Sequence, residues 1–244
     1  MSARPAAPKG RSRRGPQDGG SVMTATDRRT FSLNAAGLAG AWILAGAGLP
    51  GRVRAQGGAP VEERDFHALA RPIAVPANGK IEVIEFFWYA CPHCFAFEPT
   101  IEAWIAKLPA DVHFRRVPVG FDALKETHQR IYFTWEALGL VEQMHLKTFA
   151  RFHVQHRPID SERDMLEFAQ ESGLDGAKVH QAWNSFGVQT KMRQATQLTE
   201  QYDITQMPEM GIQGRFTAVA LPSAGPASVL ATTDWLVDRI RKGG

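Results

Sequence analysis

The sequence predicts an α/β fold in which a small sheet is interrupted by a helical insertion. Three observations predict it. An apolar, β-rich run ends at a cysteine pair that opens an amphipathic helix, a long stretch of purely helical periodicity follows, and strand patterning returns only after Met207-Pro208.

Ile81 to Trp88 mixes β-branched and aromatic residues in a short apolar run, the pattern of a strand buried on both faces. Phe97, Ile101, Trp104, Ile105 and Leu108 then recur at helical spacing. Pro99 should bend that helix, because it removes the N–H that would bond to the carbonyl of Phe95. His113 to Val119 alternates as a second strand, completing a βαβ unit. Ile131, Trp135 and Leu138 mark the next helix, and Val141, Met144, Thr148 and Phe152 another. Ser161 with Asp164 forms a capping box before Met165 and Phe168, with Gly173 as the stop. Asp175 caps a helix through Val179 and Trp183, and Met192, Ala195, Leu198 and Tyr202 carry one more down to Ile204. Glu209 to Gln213, a turn at Gly214 and Arg215 to Leu221 read as a hairpin. Val229, Trp235, Leu236 and Ile240 mark a closing helix. The order β, α, β, helical block, β, β, α is that of a thioredoxin fold with an inserted α-helical domain. The core is assigned to residues 56–121 and 188–244 and the insertion to 122–187.

The first 55 residues hold nine of the 28 Lys and Arg but only two of the 25 Asp and Glu. The remainder is therefore net acidic, with 19 basic and 23 acidic residues, although the whole chain carries +3 and a pI near 9.0. A basic surface for nucleic acid or membrane is thereby excluded from the folded part. Arg28-Arg29-Thr30-Phe31 precedes a weakly apolar stretch from Ala35 to Leu49, and Val53-Arg54-Ala55 offers small residues for cleavage. This pattern is that of a twin-arginine-type signal peptide, with Met23 as an alternative start and a periplasmic product beginning near Gln56. Fifteen residues of low hydrophobicity fall short of the ~20 that span a bilayer.

Cys91-Pro92-His93-Cys94 places two cysteines one turn apart at a helix start. A zinc site would need further ligands, and the chain has no other cysteine. His153-x-x-His156 lacks a supporting pattern, so no metal is expected. A structural disulfide closing so small a ring would constrain little of the unfolded chain. A redox pair uses every feature. Cys91 meets unpaired N–H groups and the positive end of the helix dipole, which favour its thiolate and make it the exposed nucleophile. Cys94, one turn in, is the shielded resolving thiol. Pro92 suits the first helical position, and His93 adds a polar group that can stabilise the thiolate. A stable thiolate is a good leaving group, so the pair is expected to give its disulfide away.

Glu85 to Glu98, reading EFFWYACPHCFAFE, resembles the active-site segment of the DsbA family, and Ala182-Trp-Asn-Ser-Phe186 resembles a second segment of it. The likeness runs over roughly residues 60 to 241. It implies a protein dithiol oxidase that needs no cofactor, works as a monomer on reduced, unfolded exported proteins, and is reoxidised by a membrane quinone-linked DsbB-type oxidase. Pro208 matches the family's cis-proline, which with Met207 would line the substrate groove. Glu85 matches a buried acid that assists proton movement, and Arg116 falls where the family often has a basic partner. From its residues alone, Glu85 reads as an edge-strand residue facing solvent. Two departures bear on specificity: Met207 stands where small or β-branched residues are usual, and Glu209 follows the proline. A disulfide isomerase or reductase and a non-enzymatic peptide-binding chaperone module are the competing expectations. Only about 25 mature residues precede the first core strand, too few for the dimerisation domain that isomerases of this fold add.

Overall fold

The computed structural model describes residues 58–76, 79–219 and 225–243. The twin-arginine motif, Met23 and the cleavage site at Ala55 lie outside the described residues, as does the end of the expected hairpin at Leu221. In chain order the elements are β1 (Phe66–Ala68), β2 (Ile81–Phe87), α1 (Pro92–Ile105), β3 (Val112–Pro118), α2 (Ala123–Ala137), α3 (Val141–His153), α4 (Glu162–Glu171), α5 (Gly176–Trp183), α6 (Phe186–Gln201), β4 (Glu209–Ile212), β5 (Phe216–Val219) and α7 (Ala227–Arg241).

The strands form one sheet in the order β1-β5-β4-β2-β3. Only β2 and β3 are parallel, as a helical crossover requires; β4 runs antiparallel to β2 and β5, and β1 antiparallel to β5. β2 is thus interior, which explains why its sequence is apolar on both faces. Val83 packs with Phe97 and Ile101 of α1, Met210 and Ile212 of β4 and Leu236 of α7. Ile84 and Phe86 belong to the opposite core, with Ile131, Trp135, Met144, Phe149 and Trp183 of the helical layer.

The expected caps of α4 and α5 are formed, and Asp122 adds one on α2 that the sequence reading did not include. Asp122 accepts from the Lys125 N–H at 2.9 Å, Ser161 from Asp164 at 3.3 Å and Asp175 from Ala177 at 2.9 Å. Gly173 ends α4 at φ +76°. Gly214 turns the β4–β5 hairpin at φ +61°, and a Cβ there would meet the Ile73 carbonyl at 2.2 Å, so both the conformation and the close approach require glycine.

Two details differ from the sequence reading. β1 had no pattern long enough to read; it is three residues, anchored by Phe66 against Phe216 and Trp235. α6 begins at Phe186, so the boundary set between residues 187 and 188 cuts its first turn. Ser185 caps that turn by accepting from Val188 at 3.2 Å.

Candidate active site

Cys91 is the N-cap of α1, with extended backbone (φ −80°, ψ 116°), and Pro92 occupies the first turn. No side chain caps the helix and no acid stands in its first turn, so its N–H groups and dipole are left to the cysteine. Backbone bonds pin the corner: the Cys91 N–H donates to the Trp88 carbonyl at 3.0 Å, and the Phe95 N–H to the Cys91 carbonyl at 3.1 Å. Both cysteines are free. Cys91, expected to be exposed, has only 8% of its surface accessible, against none for Cys94, while Pro92 and His93 between them are exposed. The nucleophile sits in a notch because the Met207 loop stands over it.

The two thiols are pushed in opposite directions. The Cys94 thiol donates to Cys91, the N–H groups of Cys94 and His93 point at it, and the charge of His93 assists; together these outweigh burial and hold Cys91 down at about 6. Burial raises Cys94 well above the ordinary thiol range, and its contact with Cys91 and the negative charges of Cys91 and Glu85 raise it further.

The Met207-Pro208 peptide bond is cis. It brings the Met207 carbonyl to 3.6 Å from Cys91 Sγ, where the thiol form donates to it. Pro208 is buried and Met207 half-buried beside the cysteine. Sequence positions 91 and 207 therefore meet at one notch.

Glu85 is not on an edge strand and does not face solvent. It is fully buried at the centre of β2, directly opposite Arg116 in the parallel β2–β3 register. Arg116 Nε donates to Glu85 Oε2 at 3.0 Å, and its Nη2 to Glu98 at 3.3 Å and Glu102 at 2.7 Å, both on α1. One guanidinium thus serves two buried acids. Burial dominates: it raises Glu85 to about 8 and Glu98 to about 7, with Arg116 opposing the rise in both. Among the described residues Glu85 Oε1 has no hydrogen-bond partner.

Several residues around the notch were assigned no role from the sequence. His145 of α3 lies 3.2 Å from Glu98 and 2.9 Å from the Tyr89 hydroxyl, and burial lowers its pKa well below the usual value. Trp88 Nε1 donates to His128 Nδ1 at 2.7 Å, and His128 Nε2 faces Asp160 at 3.1 Å. His153 Nε2 donates to the Tyr89 carbonyl at 2.8 Å and its ring stacks on Phe95 at 5.0 Å. These histidines looked scattered because their partners lie 32 to 64 positions away. One signal was present: His145 sits one turn before Phe149, within the apolar face of α3. Among the described residues no group of three or more His, Cys, Asp or Glu is placed to hold a metal.

The model of the DSBA-like thioredoxin domain matches residues 82–229. The thiol:disulfide interchange protein DsbA of Pseudomonas aeruginosa is 36% identical over 178 residues, which is 73% of this chain and 84% of that relative. The protein of the same name from Burkholderia cepacia is 37% identical over 196 residues, covering 78% of this chain and 91% of its own. The crystal structure of Pseudomonas aeruginosa DsbA is similar with a TM-score of 0.72 at 35% identity, over 75% of this chain and 96% of that one. With a thioredoxin fold, paired thiols at a helix start and likenesses of this extent, the chain belongs to the DsbA family of thiol:disulfide oxidoreductases.

Proposed function

We propose that this oxidoreductase works as a dithiol oxidase, donating a Cys91–Cys94 disulfide to reduced proteins. The observation that carries the reading is the asymmetry of the pair: one sulfur at an acid-free helix start and stabilised as thiolate, the other wholly buried. A substrate thiolate attacks Cys91 Sγ, the disulfide breaks, and its electron pair leaves on Cys94, which takes up a proton. A second substrate thiolate then attacks the substrate sulfur of the mixed disulfide and expels Cys91 as thiolate. The substrate is oxidised by two electrons and the enzyme reduced by two. Expulsion of Cys91 is favourable because its thiolate is stable near neutral pH. Glu85, buried and on the Cys94 side of the sheet, is suited to hold the proton that Cys94 exchanges. Met207 and Pro208 would hold the substrate backbone beside Cys91. Pro92 and His93 set the poise of the pair.

The setting that fits this chemistry is an oxidising compartment outside the cytoplasm, reached through the basic N-terminal segment. There a membrane quinone-linked oxidase of the DsbB type would restore the disulfide. The domain division that goes with it is a thioredoxin core around an inserted block of helices that begins at residue 122 and ends before the Ser185 cap of α6, acting as a monomer. Equilibration with glutathione tests the direction of electron flow. The enzyme is expected to stay reduced until the glutathione pool is strongly oxidised; a disulfide that persists in reducing glutathione would assign it to the reductases instead.

A further inference from the structure

Beside the Met207-Pro208 loop, a cavity of about 570 Å³ lies between the end of α6 and the β4, β5 and β1 side of the sheet. α6 ends at Gln201, and its C-cap Tyr202 forms one wall. The inner end is made by Glu209, Thr217 and Tyr202, all buried, while Gln206 on the mouth directly precedes Met207. Glu209 is only 4% exposed, yet among the described residues its Oε2 has no hydrogen-bond partner. The Thr217 hydroxyl and the N–H groups of Gln206 and Thr205 favour its charged form, but burial prevails and raises the carboxyl to about 7.

A buried acid with one oxygen unanswered is costly unless a donor reaches it. Among the described residues the other charged groups on the cavity form no hydrogen bond to it. Arg71 and Asp203 are exposed at the mouth, and His67, 3.2 Å from Glu63, acts on Glu209 only through its charge. Tyr202 already accepts from the Gly214 N–H at 2.7 Å. A slender chain ending in a cation fits this shape: methylenes along Leu69 and Tyr202, the charge at Glu209. The cavity mouth is one residue from the loop that meets Cys91, so a substrate chain held at Met207 carries its neighbouring side chains past it.

Building on the oxidase reading, we propose that this cavity is a side-chain subsite in which Glu209 receives the ammonium of a lysine close to the substrate's cysteine. The subsite makes the enzyme selective among reduced chains by what flanks the thiol.

Competition between paired peptides tests this. Each peptide carries two cysteines and either lysine or its uncharged isostere norleucine at one of the three positions on either side of the first cysteine. Both are offered together to the oxidised enzyme, so any loss of folded protein cancels from the ratio. At one or two positions lysine should be preferred about tenfold, a difference of about 1.4 kcal/mol. Glu209→Gln should bring that ratio to near one. Ala70→Trp, an exposed substitution at the cavity mouth, should lower it as well without touching the core. No lysine preference at any position, or a preference unchanged in both variants, would overturn the subsite. Oxidation of the norleucine peptides reports the oxidase reading separately: if neither peptide is oxidised, it is that reading which fails.

Discussion

Cys91 and Cys94 share a helical turn, a backbone and a solvent, and they differ only in what surrounds their sulfurs. Cys91 receives a thiol proton and two N–H groups, whereas Cys94 receives a neighbour's negative charge and no water. Iodoacetamide should therefore label Cys91 with a rate that rises around pH 6 and levels off above pH 7, while Cys94 stays unlabelled across that range. Quenched samples analysed by mass spectrometry check it; equal labelling of the two thiols would contradict the assigned roles. At this scale the sequence was highly legible where chemistry is local. The four residues from Cys91 to Cys94 carry the pair and the helix start in one contiguous reading. Glu85 was not legible from its own surroundings, because an acid between Ile84 and Phe86 looks like the solvent face of an edge strand. Only the strand order, which places β4 on one side of β2 and β3 on the other, makes it interior.

The β2–β3 pair and α1 together bury the ions beneath the thiols. Register sets Glu85 against Arg116, and the helix delivers Glu98 and Glu102 to the same guanidinium. Glu85 titrates at about 8 in the fold against an ordinary 4.5, so the native state binds more protons than the unfolded chain between those values. Its contribution is thus fully favourable below pH 4.5 and is lost as pH rises through 8. Glu85→Gln, which keeps the shape without the charge, should gain stability over the parent as pH increases from 5 to 8. The gain is expected to be on the order of 1 to 3 kcal/mol. Urea unfolding at several pH values measures it, and a difference independent of pH would show that Glu85 is ionised in both states. Among elements, the long periodic helices and β2 were readable because their patterns run for two turns or more. β1 was not, since three residues give no period, and the α6 start was missed because its cap, Ser185, lies inside the segment used to mark the insertion.

Across the molecule, the helical layer reaches the thiols through Trp88 and Tyr89, which bond to His128 of α2 and His145 of α3. Redox chemistry at Cys91 is therefore tied to the stability of the entire fold. In the reduced protein a thiol held at about 6, against 9.0 in an unconstrained chain, stabilises the native state fully above pH 9, and that stabilisation shrinks as pH falls through 6. The oxidised protein has no such group. The stability of the reduced form relative to the oxidised one should hence climb by up to about 1.4 kcal/mol per pH unit between 6 and 9 and be flat below. Parallel denaturant titrations of both forms test it; a difference that does not vary with pH would place the Cys91 thiol at its ordinary value in the fold. The strand order has one more consequence, in time rather than in space. Glu85 pairs with Arg116 close by in the chain but also with Met210, about 125 positions later. Contacts of such separation form late and slowly. A ribosome therefore delivers both cysteines well before the strand that completes their sheet and the loop that covers Cys91. Until residue 212 has been synthesised, the nascent chain carries its reactive turn without the Met207 carbonyl that stands over Cys91 and without the strand that encloses Glu85, so the pair is open to oxidation before the sheet behind it is complete.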